Sequence, residues 1–199
     1  MPPATQILLI ANVAVFLLQT TAGGSLVAWF ALWPPGSGIS SLPTFEPWQL
    51  VTYSFLHGGL AHIFFNMFAL YMFGGDIERL FGSRFFLAYY FVSVIVAGIC
   101  HLVVTSWMGA APYPTVGASG GIYGLLLAFA VYFPHRQVLL IFPPIPMPAR
   151  VFVAVFALLE LGFGVTGTQS GVAHFAHLGG MAGGWLMILY RRQRLAGSR

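Results

Sequence analysis

The amino-acid sequence predicts an all-α, polytopic membrane protein, a bundle of six transmembrane helices formed by a single domain over residues 1–199. Three observations lead to this fold class. Of the 199 residues, 58% are hydrophobic and 6% are charged, whereas soluble domains carry about 25% charged residues. The mean hydropathy is +0.86. Apolar stretches also alternate with polar or Pro/Gly-rich breaks, and the arginines fall in every second break.

The charged residues limit the partners of the chain. The net charge of +4 comes with eight arginines and no lysine, and the arginines are scattered between apolar runs. Nucleic acid is not an expected partner, because proteins that bind it carry their basic residues clustered on one face. The lipid bilayer is the expected environment. The use of arginine alone favours a bacterial source with a GC-rich genome.

The helices are predicted in order from apolar runs near the ~20 residues that cross a ~30 Å hydrocarbon core. The first run follows MPPATQ, which lacks the basic start of a cleavable signal peptide, so it is expected to remain as a span. Cys100, the single cysteine, is interpreted as a small buried hydrophobe within the third run. The predicted spans cover residues 6–22, 50–73, 85–108, 119–133, 150–166 and 172–190.

The break after the first span is long and partly aromatic. It contains Trp29, Phe30, Leu32 and Trp33. Aromatic side chains of this kind favour the interface between membrane and water. The loop is therefore expected to lie on the bilayer or to dip into it.

The arginines set the orientation of the spans. In the six-span arrangement all eight fall in the segments that follow spans 2, 4 and 6. The positive-inside rule makes that side cytoplasmic, so both termini are expected in the cytoplasm and spans 2, 4 and 6 are expected to run inward. An arrangement of five or seven spans would divide the arginines between the two sides. They are Arg79, Arg84, Arg136, Arg150, Arg191, Arg192, Arg194 and Arg199.

Span 4 is short, and its first residue is Ser119. Its roughly 15 residues give a helix of about 23 Å, so its outer end is expected about 7 Å below the outer boundary of a ~30 Å core. The preceding APYPTVGA would be irregular backbone at membrane depth. Such backbone is tolerated only where protein covers it or where it lines a water-filled cavity. Ser119 is therefore expected at the bottom of a wet recess.

Polar side chains inside membrane spans are costly and indicate function. In span 2, His62 and Asn66 are four residues apart and share a helix face. In span 6, His174 and His177 are three residues apart. Helix rise places His177 about 8 Å below the start of its span and His62 about 14 Å below the outer boundary. These histidines and Ser119 are thus expected near a common level in the outer half of the membrane.

Four further features complete the interpretation of the sequence. His174 either supports the site or has a purely structural role. His101, alone in span 3, is interpreted as a packed or interfacial histidine, and His135 as a solvated one in an inner loop. The glycine-rich GVTGTQSGVA before span 6 is either a flexible connector or a cap that moves to admit substrate.

Glycines spaced four residues apart follow the serine in span 4 and recur in span 6. Small residues at this spacing let two helices approach closely. Since both spans are expected to run inward, docking their glycine faces would align Ser119 with His177 at the outer ends. Ser119 alone could be a packing residue, but the companion histidines favour chemistry. The glycines are Gly120, Gly124, Gly180 and Gly184.

A serine hydroxyl becomes a useful nucleophile when an imidazole within hydrogen-bond reach takes its proton. Ser119 and His177 are therefore predicted to be a catalytic pair. His62 and Asn66, together with the backbone N–H of Ser119 at its helix start, are predicted to stabilise an oxyanion. An acidic third member is not evident, because Glu160 lies in span 5, about six residues before its outer end. A two-residue arrangement is what the sequence favours.

Together these residues resemble the rhomboid family of intramembrane serine proteases, over about residues 48–190. GASG at the serine is similar to the family's GxSG, and AHLGG in span 6 to its catalytic-histidine motif. HGGLAHIFFN fits the pattern H-x4-H-x3-N, and FGGDIERLFGS resembles the GG-x2-E loop after span 2. Each motif alone is weak, but all four, in the family's order along the chain and on the predicted spans, are a specific match.

The resemblance implies a role for each matching residue. Ser119 would be the nucleophile that forms an acyl-enzyme, and His177 the general base and then the acid. His62 and Asn66 match the oxyanion positions, and Tyr123 matches the aromatic residue that packs on the catalytic imidazole. His57 matches a loop-anchoring histidine, Glu78 and Arg79 match a structural polar cluster, and Gly117 is the first glycine of the GxSG motif.

The resemblance also implies partners and location. The family cleaves single-span membrane proteins in or near their transmembrane segment, with small side chains before the scissile bond and helix-destabilising residues after it. No metal or cofactor is expected. The chain would lie in the inner membrane of a bacterium, with both termini in the cytoplasm and the active site open to the outer side. The oligomeric state is left open.

Two rival functions are disfavoured by the sequence. A metal or haem protein would use the six histidines, but HGGLAH lacks the spacing and the glutamate of HExxH zinc proteases. Haem ligation would need matched histidine pairs at equal depth. A transporter would show internal repeats and interrupted helices in corresponding halves, and the sequence has no convincing repeat.

Overall fold

The computed structural model describes residues 1–35, 42–109, 111–139, 144–167 and 173–197. Over these residues the chain is mostly helical, as the sequence predicts. A 3₁₀ turn, Tyr53–Phe55, follows α3, and a π turn, Leu70–Gly74, joins α4 to α5. The helices are α1 (Pro3–Ala22), α2 (Gly24–Phe30), α3 (Gln49–Thr52), α4 (Leu60–Ala69), α5 (Gly75–Phe81), α6 (Ser83–Trp107), α7 (Ser119–Tyr132), α8 (Ala149–Thr166) and α9 (His174–Gly197).

Several helices are long and apolar enough to cross a membrane, which confirms a multi-pass helical protein. By length and composition, four helices of the described residues can cross a bilayer: Pro3–Ala22, Leu60–Phe81, Ser83–Trp107 and Ala149–Thr166. Helix α7 has 14 residues, as expected for the short span 4. Helix α9 has 24 residues, but its histidines and glycines make its first half less apolar. The exact count of six spans stays a prediction.

The predicted start of the second span is wrong. The sequence predicts residue 50, whereas the long helix begins at Leu60 and ends at Phe81. The backbone of His57 instead pairs with the side chain of Gln19, donating to Oε1 at 3.0 Å and accepting from Nε2 at 2.8 Å. Gly58 and Gly59 follow, and glycine weakens a helix by about 1 kcal/mol relative to alanine. The chain therefore breaks its helix here although the segment is apolar.

The loop after α7 contains a small antiparallel sheet that the sequence does not predict. Strand β1 (Gln137–Leu139) pairs with β2 (Pro146–Pro148), and Val138 lies opposite Met147. Val138 is buried while its two neighbours in β1 are exposed, so the strand turns one apolar side chain toward the bundle. The chain is all-α in class, and this short hairpin is an addition that the sequence does not predict. Residues 140–143 of the loop lie outside them.

Helix α7 lies at the centre of the bundle, packed between α6 and α9. The helices meet at glycines. A Cβ on Gly180 of α9 would collide with the carbonyl oxygen of Gly120 in α7, and one on Gly121 would collide with the Tyr90 ring of α6. On the other side of α9, a Cβ on Gly179 would lie 2.5 Å from Cβ of Cys100 in α6. The close packing of spans 4 and 6 predicted from their glycines is confirmed.

A buried carboxylate fixes the amino end of α1. Glu78 accepts hydrogen bonds from the backbone N–H of Ala4 at 2.9 Å and of Thr5 at 2.7 Å, and from the Thr5 and Ser83 hydroxyls at 2.7 Å each. A negative charge is favourable at a helix amino end. Glu78 thus joins α1 to the end of the Leu60–Phe81 helix.

Arginines from three separate breaks meet at that same end of the bundle. Asp76 pairs with Arg79 at 2.9 Å and with Arg136 at 2.8 Å, and the Arg191 guanidinium lies 4.9 Å from the centre of the Phe81 ring. Arg79 is exposed and pairs with Asp76, so it does not belong to the buried cluster around Glu78. The gathering of these arginines agrees with their predicted position on one side of the membrane.

The aromatic segment after α1 has some side chains exposed at the surface and others buried in the core. Trp29 is exposed, whereas Leu32 and Trp33 are buried, and Leu32 forms an isolated bridge with Thr115. Residues 36–41 lie outside the described residues. Whether this loop contacts the bilayer stays a prediction.

Candidate active site

Ser119 is the first residue of α7, at the end of a tightly held loop. Gly117, two residues earlier, has φ = 127°, a conformation that glycine adopts without the penalty of a Cβ. Its N–H donates to the carbonyl of Tyr53 at 3.0 Å. The Tyr53 hydroxyl is buried and donates to the carbonyl of Val94 in α6 at 2.8 Å. The loop before the serine is therefore held against the core through Tyr53.

His177 lies on the first turn of α9, three residues before the glycine that contacts α7. Its Nε2 is 2.8 Å from Oγ of Ser119, and the residue is 9% exposed. The direct contact between the backbones of Gly120 and Gly180 brings the helices close enough for this bond. The predicted meeting of Ser119 and His177 is thus present in the structure.

The ring of Tyr123 fixes the plane of the imidazole. Tyr123 lies one turn after Ser119 on α7, and its ring stacks on His177 with centroids 4.2 Å apart and an interplanar angle of 5°. This is the contact that the resemblance implies. The stack limits tilting of the imidazole out of its plane, because aromatic faces in contact resist such motion.

Glu160 also lies at the site, so the expectation of a pair without an acidic neighbour is wrong. Its Oε2 is 2.6 Å from Nδ1 of His174 and 3.0 Å from Nδ1 of His177. Its Oε1 accepts a hydrogen bond from the Tyr123 hydroxyl. Nδ1 of His177 has no aligned hydrogen-bond partner among the described residues, so the 3.0 Å approach to Oε2 is a close contact that lacks hydrogen-bond geometry.

The sequence contains one indication that Glu160 could reach the site, which is its expected depth in the membrane. Its distance from His177 along the chain made this indication easy to miss. Six residues of helix rise place Glu160 about 9 Å below the outer end of its span, near the ~8 Å depth expected for His177. Equal depth on neighbouring helices was therefore available as a hint. The sequence does not say which face of span 5 turns toward span 6, and that face decides whether the carboxylate reaches the imidazole.

His62 and Asn66 border the same site from α4. A Cβ built on Gly117 would lie 2.8 Å from Nε2 of His62 and 3.7 Å from Oγ of Ser119, so this nitrogen and the serine oxygen lie on the same side of Gly117. His62 Nδ1 accepts from the Gly58 N–H at 3.2 Å, which leaves Nε2 as the protonated nitrogen in the neutral ring. One N–H of the Asn66 amide donates to the His62 carbonyl at 2.9 Å.

His57 is buried behind His62 and away from the serine. Its ring lies between Phe16, with centroids 6.4 Å apart, and His62, with centroids 5.2 Å apart. Burial and, to a smaller extent, the neighbouring His62 lower the pKa of His57 to about 4. The ring is therefore neutral at pH 7, and its backbone bonds to Gln19 hold the loop before α4.

The three remaining histidines lie in different surroundings. His174 belongs to the active-site cluster through Glu160. His101 is buried in α6 with Nε2 2.8 Å from the Thr115 hydroxyl, which fits the predicted packed histidine, and His135 is exposed. Of the glycine-rich segment before α9, residues 168–172 lie outside the described residues, so neither interpretation of that segment is tested.

A cavity of about 1050 Å³ opens onto the pair. Its walls include phenylalanines of α4 and α8, and its far end reaches Val138 and Leu139 of β1. Ser119 and His177 line it together with His62 and Asn66. The site is therefore a mostly apolar cleft with a few polar groups at one end, the usual form of a ligand site.

Glu160, His174 and His177 also form the one group among the described residues with the arrangement of metal ligands. Their ligand atoms all lie within 4.8 Å of one another. Contacts of 2.6 and 3.0 Å between carboxylate and imidazole are those of hydrogen-bonded or charge-paired groups. The cluster is thus accounted for by these contacts.

The fold and the site define a multi-pass helical membrane protein with a serine–histidine pair at the end of an apolar cleft. The chain belongs to the rhomboid family, because the Rhomboid domain of that family matches residues 44–194. The family motifs quoted from the sequence lie within this match.

Curated relatives carry related names. The chain is 32% identical over 190 residues to Rhomboid protease GluP of Bacillus subtilis, a match that covers 92% of this chain and 34% of the relative. It is 30% identical over 125 residues to Rhomboid protease GlpG of Klebsiella pneumoniae, covering 62% and 41%. It is 31% identical over 142 residues to Putative rhomboid protease YdcA of Bacillus subtilis, covering 71% and 66%. The chain thus spans about a third to two fifths of the length of the first two relatives.

Proposed function

We propose that this protein is an intramembrane serine endopeptidase that cleaves transmembrane segments through an acyl-enzyme. The observation that carries the proposal is the 2.8 Å contact between Nε2 of His177 and Oγ of Ser119 at the end of an apolar cleft. A hydroxyl in this contact has a base within reach of its proton. The protease names of the relatives support the same activity.

The reaction proceeds in two halves. His177 takes the proton of Ser119 as Oγ attacks the scissile carbonyl, and the same imidazole then gives that proton to the leaving amine. The product of this half is an ester between Ser119 and the substrate's acyl group. A water molecule, deprotonated by His177, attacks the ester, and the proton returns to Oγ as the acid leaves.

Three donors are proposed to hold the oxyanion. The backbone N–H of Ser119 is among the unpaired N–H groups at the start of α7, where the helix dipole favours negative charge. Nε2–H of His62 lies on the same side of Gly117 as the serine oxygen, and Asn66 keeps one amide N–H beyond its bond to the His62 carbonyl. Such donors stabilise charge only where it develops, in the tetrahedral intermediate.

The cleft supports a membrane protein as the substrate. Phe65 and Phe68 of α4 face it from one side, and Phe152 and Phe156 of α8 from the other. These walls match the apolar side chains of a transmembrane segment, while the polar end at Ser119 receives a locally extended backbone. We propose single-span membrane proteins as the substrate class.

The location follows from the two ends of the bundle. Ser119 begins α7, and the arginines gather near the other end of that helix, where Arg136 lies over the ring of Phe133. With the arginine end in the cytoplasm, the serine opens toward the outer side. We propose the cytoplasmic membrane of a bacterium, with both termini inside.

Substitution of the pair tests the activity. Ser119→Ala and His177→Ala are each expected to reduce cleavage of a single-span model substrate in detergent micelles by at least about a thousandfold. Ser106→Ala, at the end of α6, is the control and is expected to cleave normally. Undiminished cleavage by Ser119→Ala or His177→Ala would contradict the assignment, and size-exclusion chromatography checks that each variant folds.

A further inference from the structure

We infer that Glu160 is a positioning residue for His177, so that this chain uses a Ser–His–Glu arrangement within its membrane domain. This inference rests on the proposed function of Ser119 and His177. The carboxylate orients the imidazole and stabilises its protonated form from the side opposite the serine. It adds a group that neither the GxSG motif nor the catalytic-histidine motif contains.

The carboxylate of Glu160 lies in an apolar helix. Glu160 is 8% exposed within ARVFVAVFALLELGFGVT, and an ionisable group at membrane depth is costly unless it is partnered and used. Of the chain's four acidic residues, Asp76 and Glu78 lie at the arginine end of the bundle. Glu46 lies in the loop before α3, where its backbone N–H donates to Oε1 of Gln49, and Glu160 is the acid beside the imidazole.

The imidazole of His177 has the serine on one side and the carboxylate on the other. Nε2 of His177 faces Ser119 at 2.8 Å, and Nδ1 on the other side of the ring lies 3.0 Å from Oε2 of Glu160. A carboxylate beside Nδ1 stabilises the imidazolium that forms when Nε2 takes the serine proton, as the acid of a serine-protease triad does. Bonds that are poorly aligned in a free enzyme commonly tighten with substrate bound, so the misaligned Nδ1–H does not disqualify the contact.

Glu160 also holds the imidazole through its neighbours. The Tyr123 hydroxyl donates to Oε1, and the ring of the same tyrosine stacks on His177 at 4.2 Å. His174 contacts Oε2 at 2.6 Å and lies one turn before His177 on α9. One carboxylate therefore joins α7, α8 and α9 around the catalytic ring.

The other titratable groups that face His177 are neutral or basic. His62 of α4 and His101 of α6 both lie close enough to disfavour a positive charge on it, and Tyr123 and His174 complete the surroundings. Among these groups Glu160 is the one that favours the imidazolium. Removing its charge should therefore destabilise the imidazolium that forms when Nε2 takes the serine proton.

The test is the pH dependence of Glu160→Gln, which keeps the shape and removes the charge. The readout is the second-order rate at which a fluorophosphonate probe labels Ser119, because it needs no natural substrate. The acid limb of the pH–rate profile is expected to move to lower pH by roughly one to three units. The plateau rate is expected to fall about 100-fold or more, because the base is weaker and less well held.

Two matched variants separate positioning from packing. Glu160→Asp keeps the charge and is expected to restore the position of the acid limb and part of the rate. Leu161→Ala, next to it on α8 and half exposed, is expected to match the unmodified protein. A Glu160→Gln profile with the acid limb unmoved, whatever its plateau, would overturn the inference.

A second substitution keeps the inference testable if Glu160→Gln does not fold. Tyr123→Phe keeps the ring stack and removes a donor from the carboxylate, which concentrates its charge on His177. The acid limb is then expected to move to higher pH, opposite to Glu160→Gln, and an unmoved limb overturns the inference. Failure of the proposed function is distinct, since the unmodified protein would then leave Ser119 unlabelled.

Discussion

Gly117 combines two constraints that a larger residue does not satisfy. Its φ of 127° lies in a region that L side chains rarely adopt. A Cβ there would also lie 2.8 Å from Nε2 and 2.9 Å from Cε1 of His62. The first glycine of the GxSG motif is thus explained by the close approach of a proposed oxyanion donor and by the turn that delivers Ser119.

Gly117→Ala is therefore expected to damage the site before it damages the fold. We expect a loss of about 1–3 kcal/mol of stability from the strained backbone, and a fall of at least about tenfold in kcat/KM, because a displaced oxyanion donor costs up to 10³-fold. Cleavage kinetics and thermal unfolding in micelles measure the two effects. Gly24→Ala, where the Cβ has open space, is the control. Normal kcat/KM in Gly117→Ala would show that His62 and the loop tolerate the displacement.

At the residue scale, sequence reasoning found the groups that motifs mark and missed the one that they do not. Ser119, His177 and His62 lie in short motifs with fixed spacing, so the sequence could mark them as candidate site residues, and Tyr123 follows Ser119 by one helical turn. Glu160 lies alone in an apolar run, 17 residues before His177 along the chain. Only the docking of α8 against α9 turns this carboxylate toward the imidazole.

At the scale of helices, glycine contacts decide how α7 meets its neighbours. The carbonyl oxygen of Gly120 occupies the space that a Cβ on Gly180 would need. On the next turn, Gly184 packs against the Tyr89 hydroxyl and the backbone of Gly124. Close packing of backbones stabilises helix pairs inside membranes, where the hydrophobic effect between helices is absent.

Gly180→Ala is expected to push α9 away from α7. Since the obstacle is backbone rather than a flexible side chain, we expect a loss of about 3 kcal/mol, the upper part of the overpacking range. The Ser119–His177 contact should lengthen, so fluorophosphonate labelling should fall with stability. Equilibrium unfolding in mixed micelles and labelling rates measure the change. Gly162→Ala on α8, where nothing lies within 4 Å of the new Cβ, should behave as the unmodified protein. Equal stability of the two variants would contradict the contact.

Element boundaries were predicted well where a helix has a sharp chemical start and poorly where tertiary contacts interrupt it. Helix α7 begins at Ser119, as predicted, because Pro112 and Pro114 before it do not fit a continuing helix. The start at Leu60 depends on Gln19 of α1 binding the backbone of His57. The β1–β2 pairing is also a long-range contact of two short strands, which hydropathy does not reveal.

At the scale of the whole molecule, charge separates the two ends of the bundle. Arg79, Arg136 and Arg191 come from three separate breaks and meet around Asp76 and Phe81. The serine lies at the opposite end of α7. The positive-inside rule acts on such loops during insertion, so this distribution predicts the compartment of each end.

Cysteine labelling tests the orientation. In a Cys100→Ala background, Trp107→Cys at the serine end of α6 is expected to react with a membrane-impermeant maleimide in intact bacterial spheroplasts. Arg194→Cys near the carboxyl end is expected to react only after permeabilisation, because it would lie in the cytoplasm. Both positions are exposed, so the bilayer and not the protein limits access. The reverse pattern would contradict the proposed location of the termini and the active site.

The sequence by itself determined a multi-pass helical membrane protein of the rhomboid family, its short serine-bearing helix and the partners Ser119 and His177. Composition, motif spacing and glycine spacing act locally along the chain, so they were readable without coordinates. Only the tertiary structure decided that α4 begins after His57, that the loop after α7 pairs as strands, and that Glu160 adjoins the imidazole. Each of these depends on which face of one element meets another, and that choice is made by packing over the whole bundle.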